Sequence, residues 1–385
     1  MKPFIQRLNP LSLKAELKKL GVDEGGVGIM EKKSHDFVFH LTSLPLSAMH
    51  ILKQEAISVG ADLATPKDAI LCKEKSYDAI LLGNHSQLLR VIQKCHSQPF
   101  GLKTIAQTLK THLQAKESVN PQIMAILNIT PDSFYEGSRF GVDEAIKKIE
   151  EYIELGVEII DIGGASSRPG SEILTHSQEM QRLKPLFDEI AKRGLGKRVK
   201  LSIDTYNYES ADYALQSGFS ILNDIMGFTD ERLIEVCAKH NAIAVIMHSR
   251  GNPQTMQSLT QYENLFKEID EFFERKIERM REVGVKEMIL DIGFGFAKEL
   301  EHNLSLIRDL RHFRHFNLPL LVGASRKNTI GLLTNKPIEQ RLSGTLAMHQ
   351  IALENGADIL RVHDVVEHMD MIKIYQALRG SNAKG

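Results

Sequence analysis

From residue 124 to its end, the chain repeats one unit: a short apolar strand, a polar loop and an amphipathic helix. The strands read "MAILNI", "VEIIDIG", "VKLSID", "SILNDI", "AIAVIM", "EMILDIG", "LPLLVGA" and "DILRVHD". Between them, segments such as "DEAIKKIEEYIELG", "ESADYALQSG", "ERLIEVCAKHN" and "RLSGTLAMHQIALENG" place apolar residues three and four apart, the spacing of one helix face. Several close on glycine or asparagine (Gly156, Gly218, Asn241, Gly284, Gly356), as a left-handed helix cap requires. "VVEHMDMIKIYQALRG" supplies a final helix. Near-continuous apolar strands alternating with helices predict a parallel sheet covered by helices. Eight such pairs in about 260 residues suit a closed (β/α)8 barrel, a fold of typically ~250 residues. An open doubly wound sheet is the rival; it lacks a GxGxxG opening here, and the count favours closure.

Residues 1–120 lack this rhythm. "DFVFHLTSLP" and "YDAILLGN" alternate like strands, while "LSAMHILKQEAISVG" and "HSQLLRVIQKCH" have helical spacing. A small N-terminal α+β domain over 1–120 follows, with "KTHLQAKESVNPQ" as an exposed linker into a barrel domain at 121–385. The N-terminal region shows no chemistry, so an assembly or structural role is expected of it.

At 385 residues and 42% hydrophobic content, the chain can bury a large core. Its formal net charge of −1, with signs interspersed, excludes nucleic acid or an anionic membrane as the main partner. Three cysteines without a CxxC pattern and no long apolar run point to a soluble cytoplasmic protein. In that compartment the sequon at Asn128 has no glycosylation machinery to meet.

Polar residues collect at the C-terminal strand ends, the face that carries the active site in barrel enzymes. Strand one ends at Asn128; strand two at Asp161, followed by "GGASSRPG"; strand three at Asp204; strand four at Asn223 and Asp224. Strand five leads to His248 and Arg250, strand six to Asp291 and "GFGFAK", strand seven to Ser325, Arg326 and Lys327, and strand eight carries Arg361, His363 and Asp364. Any one of these could be a turn or cap residue. All eight strands ending so points to a site. Asp204, Asn223 and Asp291 match the NH and NH2 groups of a nitrogen-rich ring. Arg168, Lys327, Arg361 and His363 match phosphate oxygens. No histidine–cysteine zinc set is present, whereas Asn128 with phosphate oxygens suits Mg2+.

In order and spacing, "ILNITPDSF", "DIGGASSRPG", "SIDTY", "LNDI", "MHSRGNPQTMQ", "LDIGFGF", "VGASRK" and "GTLAMHQIALENGADILRVHD" resemble the motifs of the dihydropteroate synthases. The resemblance covers roughly two thirds of the chain and implies a (β/α)8 barrel. It also implies that 6-hydroxymethyl-7,8-dihydropterin diphosphate is joined to 4-aminobenzoate, giving 7,8-dihydropteroate and diphosphate for folate synthesis. Sulfonamides compete with 4-aminobenzoate in this family, whose members are commonly homodimers.

Carried over by motif, Asn128 would bind Mg2+ and the diphosphate. Asp204, Asn223, Asp291 and Lys327 would hold the pterin ring. Arg361 would stack on that ring and, with His363, bind phosphate, while Ser167 and Arg168 would meet the diphosphate. Phe134, Pro169 and Phe296 would wall the aminobenzoate pocket, and Asn328, where a helix opens after "SRK", would face its carboxylate. Asn128, Lys327, Arg361 and His363 would carry the chemistry. Ala165, Ser167, Glu136, Asn328, Ile292 and Ala297 stand where the family usually has Glu, Thr, Asp, Ser, Pro and Gly. None of these departures removes an expected ring or phosphate ligand. Two alternatives are a pterin-binding methyltransferase barrel that passes a methyl group to a corrinoid, and an inactive barrel serving as a scaffold. The first has no use for the phosphate cluster, and the second none for intact polar strand ends.

Overall fold

The computed structural model describes residues 6, 9–116, 120–129, 139–164, 174–252 and 254–379. The chain divides into two compact units, Met1–Ala115 and Lys116–Gly385.

The first unit contains α1 (Pro10–Lys19), α2 (Glu24–Lys33), β1 (Asp36–Pro45), α3 (Leu46–Ser58), β2 (Asp62–Ala64), β3 (Ser76–Asn84), α4 (His85–Cys95) and α5 (Leu102–Leu113). Its strands form an antiparallel sheet in the order β1-β3-β2. Alternation divides the sheet's two faces. Leu44, Ala79, Leu81 and Leu63 are buried with Leu52, Leu88, Val91 and Leu109 of the helices. Val38, Ile80 and Leu82 lie exposed on the strands between. Asn84 starts α4 with a reciprocal capping box to Gln87, which ends β3 sharply. Helix α5 runs to a buried Leu113, so the first residues of the expected linker are helical.

The second unit comprises β4 (Gln122–Asn128), α6 (Arg139–Glu154), β5 (Ile159–Gly163), α7 (His176–Arg193), β6 (Lys200–Asp204) and α8 (Tyr208–Gln216). It continues through β7 (Ile221–Asp224), α9 (Glu231–His240), β8 (Ile243–Met247), α10 (Leu265–Val283), β9 (Met288–Asp291) and α11 (Leu300–Arg308). It ends with β10 (Leu320–Val322), α12 (Asn328–Thr334), α13 (Leu342–Glu354), β11 (Ile359–Val362) and α14 (Val365–Leu378). The strands β4 to β11 close into a barrel, and each pairs in parallel with its neighbours. This is the expected (β/α)8 architecture.

Period-two alternation sorts the strand residues between two cores. Met124, Ile159, Ile221, Val245, Ile289, Leu321 and Ile359 meet one another in a layer inside the barrel. Their neighbours, among them Ala125, Ile160, Leu201, Leu222, Ile246, Leu290, Val322 and Leu360, pack outward under the helices. Gly156, Gly218, Asn241, Gly284 and Gly356 all adopt positive φ after their helices, as the sequence predicts. The interior layer is a packed plug, so polar residues one step further along the strands stand on an apolar floor.

Candidate active site

The strand register lays out the site. Asn128 pairs with Gly163, Gly163 with Asp204, and Asp204 with Asn223, so four successive strands end level with one another. Asp161 and Asn223 each lie two residues beyond an interior apolar residue (Ile159 and Ile221), and therefore face inward as well. Asp161, Asp204, Asn223 and Asp291 are all buried. Asp224 points the other way: its carboxylate accepts the backbone N–H groups of Met226 at 2.8 Å and Phe228 at 2.6 Å, which makes it a turn cap.

Arg361, from the last strand, reaches across this ring. Its Nε donates to Asp161 at 2.6 Å and its Nη2 to Asp204 at 2.7 Å. Asn223 donates to the same Asp161 oxygen at 3.1 Å. The other Asp161 oxygen is buried with no hydrogen-bond partner among the described residues. Burial works against the Arg361 charge, but Asp161 and Asp204 outweigh it and hold the pKa above the usual value. For Asp204, burial pushes the carboxyl up to about 7; Arg361 pulls it back and Asp161 adds to the rise. Burial also raises Asp291, with Lys327 opposing. Three acids thus face two cations, leaving an excess of acceptors.

Strands six and seven supply the other wall. Asp291 accepts the Gly293 N–H at 2.7 Å, which bends the chain after β9. Lys327 immediately precedes α12 and donates to the Phe294 carbonyl oxygen. Its ammonium lies 4.4 Å from the centre of the Phe296 ring, a cation–π contact. Burial lowers its pKa to about 8, with Asp291 pulling upward. Underneath, Lys298 is buried against His248 Nδ1 at 3.0 Å and the carbonyl oxygens of Gly293 and Phe296, each at 3.1 Å. Burial takes Lys298 down to about 7. This lysine ties the six-strand loop to itself and to β8. Ala297 sits within that loop at φ +49°, where an L side chain costs about 1 kcal/mol.

The loops after strands seven and eight are tied together. Ser325 Oγ lies 2.9 Å from His363 Nδ1 and accepts the His363 backbone N–H at 3.3 Å. Arg326 forks onto both Asp364 oxygens, and its N–H donates to Thr345 Oγ1 at 3.0 Å. Arg326 has φ +57°, a strained geometry that these contacts hold.

Asn128, Asp204, Asn223, Asp291, Lys327 and Arg361 are thus brought to one end of the barrel, with His363 on the adjoining loop. Phe296 is buried beside Met247 and faces Lys327. Asn328 is exposed at the first position of α12. Phe134, Ser167, Arg168, Pro169, Glu136 and Ala165 lie outside the described residues. His248 joins Lys298, and Arg250 covers the Tyr262 ring and pairs with Glu268, so the end of strand five organises loops. Sequence reasoning noted Asp161 only as a strand end and passed over Lys298. The period-two step from Ile159 could have marked Asp161 as inward-facing; nothing local marks Lys298.

The raised pKa of Asp204 has a thermodynamic consequence. Its folded value is above its unfolded value near 3.9, so its contribution is favourable in acid and is lost as pH rises toward 7. Asp204→Asn is therefore expected to gain stability relative to the parent by about 1–3 kcal/mol between pH 5 and 8. Thermal unfolding of both proteins across that range checks it; a constant difference would show that Asp204 does not titrate there.

Comparison with known proteins agrees with this geometry. The "Pterin binding enzyme" family model matches residues 124–363. A bifunctional dihydropteroate synthase/dihydropteroate reductase of Helicobacter pylori is 52% identical over 375 residues, covering 97% of this chain and 99% of the relative. The dihydropteroate synthase of Escherichia coli is 41% identical over 261 residues, 67% of this chain and 92% of that protein. A crystal structure of the Yersinia pestis dihydropteroate synthase with a sulfonamide drug complex superposes with a TM-score of 0.63 at 38% identity, covering 68% of this chain and 94% of that one. The chain belongs to the pterin binding enzyme family, among its dihydropteroate synthases.

Proposed function

We propose that the cup condenses 6-hydroxymethyl-7,8-dihydropterin diphosphate with 4-aminobenzoate, releasing diphosphate and forming 7,8-dihydropteroate. The excess of buried acceptors carries this reading. Among the described residues Asp161 keeps one oxygen without a partner, and burial makes Asp204 and Asp291 costly to ionise. A heterocycle rich in N–H groups supplies the donors they lack. The Arg361 guanidinium would yield Asp204 to the ring and lie against the ring's face. Lys327 and Asn223 would complete the ring contacts.

At the diphosphate end, Ser325 Oγ accepts the His363 backbone N–H and lies 2.9 Å from His363 Nδ1, which orients the ring. His363, on the loop after β11, is a donor group that would suit phosphate oxygens. Asn128, Arg361 and, from their motif, Ser167 and Arg168 would share the diphosphate. The Asn128 amide offers the kind of hard oxygen that Mg2+ takes, and bound Mg2+ would supply charge neutralisation at the diphosphate. The pterin methylene C–O bond breaks with its electron pair leaving on diphosphate. The arylamine lone pair then forms the new C–N bond, and the amine loses a proton. An aromatic amine is already neutral at pH 7, so the residues' task is electrostatic. Phe134, Pro169, Phe296 and Asn328 would shape the aminobenzoate side.

The test is diphosphate release that requires both 4-aminobenzoate and Mg2+. Lys327→Ala and Asp204→Ala are each expected to lose at least about tenfold in affinity for the pterin diphosphate by calorimetry, the scale of a buried charged contact. Normal binding by both variants would refute the assignment.

A second activity is favoured by coverage. The bifunctional Helicobacter pylori relative matches 97% of this chain, whereas the Escherichia coli synthase matches 67%. The N-terminal unit therefore accompanies the protein named for both activities. We infer that this chain also reduces dihydropteroate, with a hydride donor such as a reduced nicotinamide supplying the two electrons. Dihydropteroate-dependent oxidation of that donor by the full chain is expected; its absence with every reduced nicotinamide or flavin supplied would end this reading.

A homodimer is also proposed, through α12, α13 and α14. Leu332, Leu333, Ile351, Val366, Ile374 and Leu378 expose apolar surface there. Light scattering should give twice the chain mass, and a monomer at micromolar concentration would exclude the dimer.

A further inference from the structure

The last two helices bury a pair of histidines that the synthase chemistry leaves unused. His349 on α13 and His368 on α14 are each fully buried. The Ala324 backbone N–H donates to His349 Nε2 at 3.0 Å. His349 Nδ1 lies 2.8 Å from His368 Nε2, and His368 Nδ1 lies 2.5 Å from the Asp364 carbonyl oxygen.

Both ends of this row are backbone atoms with fixed roles. An amide only donates, so His349 Nε2 holds a lone pair and its proton sits on Nδ1. That proton is donated to His368 Nε2, whose ring then donates from Nδ1 to the carbonyl oxygen. Charging either ring would set two N–H groups against each other. The electrostatics agree. Burial lowers both pKa values, aided at His349 by His368 and Lys327 and opposed at His368 by Asp364 and Glu367.

The row stands where the sheet gives out. β10 and β11 pair only through Leu321 with Ile359 and Val322 with Leu360. Beyond Val322 the chain carries Ser325, Arg326 and Lys327, and beyond Leu360 it carries Arg361 and His363, without ladder hydrogen bonds between the two strands. The histidines connect the backbone at Ala324 to that at Asp364, in addition to the Ser325–His363 and Arg326–Asp364 contacts. An apolar pair in their place would leave the Ala324 N–H without its partner in the core.

We propose that His349 and His368 are positioning residues for the pterin diphosphate, forming a neutral strut that sets the spacing between Lys327 and the Arg361–His363 pair. The proposal rests on the synthase reading. His349 and His368 act through the backbone and touch no substrate.

Kinetics and nitrogen spectroscopy on the full-length protein test it. Protein labelled with 15N-histidine should show both rings as neutral Nδ1–H tautomers from about pH 6 to 8. His368→Leu should raise KM for the pterin diphosphate about tenfold, while KM for 4-aminobenzoate changes less than about twofold. His368→Gln, whose amide oxygen can still accept from His349, should recover most of that loss. An unchanged KM for the pterin diphosphate in His368→Leu, equal rises for both substrates, or a Gln variant as impaired as the Leu variant would overturn the proposal. An Nε2–H tautomer at either ring would do the same. Should His368→Leu fail to fold, the tautomers in the wild-type protein and a near-normal KM for the pterin diphosphate in His368→Gln decide. Wild-type protein that releases no diphosphate would instead refute the synthase reading, and the tautomers would still test the strut.

Discussion

The site depends on closure of the parallel barrel. Closure forces alternate strand residues into one interior, and there the chain spends one layer on apolar packing and the next on acids, an amide and an arginine. Met124, Ile159, Ile221, Val245, Ile289, Leu321 and Ile359 form the floor. Directly above, Asp161, Asp204, Asn223 and Asp291 are buried with Arg361 spanning them. A carboxylate removed from water costs several kcal/mol even after relaxation. Burial raises Asp204 and Asp291 despite Arg361 and Lys327, and among the described residues one Asp161 oxygen has no partner. These buried acceptors suit a donor-rich ring.

Loops that complete the cup are held by interactions of different kinds. Lys298, buried among carbonyl oxygens and His248, organises the loop after strand six and tolerates the positive φ of Ala297 within it. Arg326, itself at positive φ, is held by Asp364, Thr345 and Arg341, whose Nη1 donates to the Arg326 carbonyl oxygen at 3.1 Å. The strain is local and each contact is modest. Their convergence on the Ser325–Lys327 turn is what fixes the ammonium of Lys327 over Phe296.

Much of this was legible in the chain. Period-two and period-3.6 patterns identified the strands and helices because apolar burial repeats with backbone geometry. Glycines and the asparagine at helix ends announced positive φ, and each adopts it. Asn128, Asp204, Asn223, Asp291, Lys327 and Arg361 were legible through their place at strand ends, since closure brings every such end to one rim. The three-residue strand β10 still conveyed its direction by leading into "SRK".

What the linear order leaves open is which rim residues engage one another. "RVHD" and "DIGG" are some 200 residues apart, yet Arg361 binds Asp161, because barrel closure sets the last strand beside the first and so only one strand away from the second. His349 looks like one more helix residue in "LAMHQIALENG", and His368 likewise in "VVEHMDM". Only the packing of α13 against α14 turns them into a hydrogen-bonded row with assigned protons. The sequence by itself determined the strand–helix alternation, the barrel and the polar rim, since these follow from local periodicity. Ion pairing, protonation and the choice between loop anchor and ligand belong to the tertiary structure, because distance and desolvation exist only once the ring has closed.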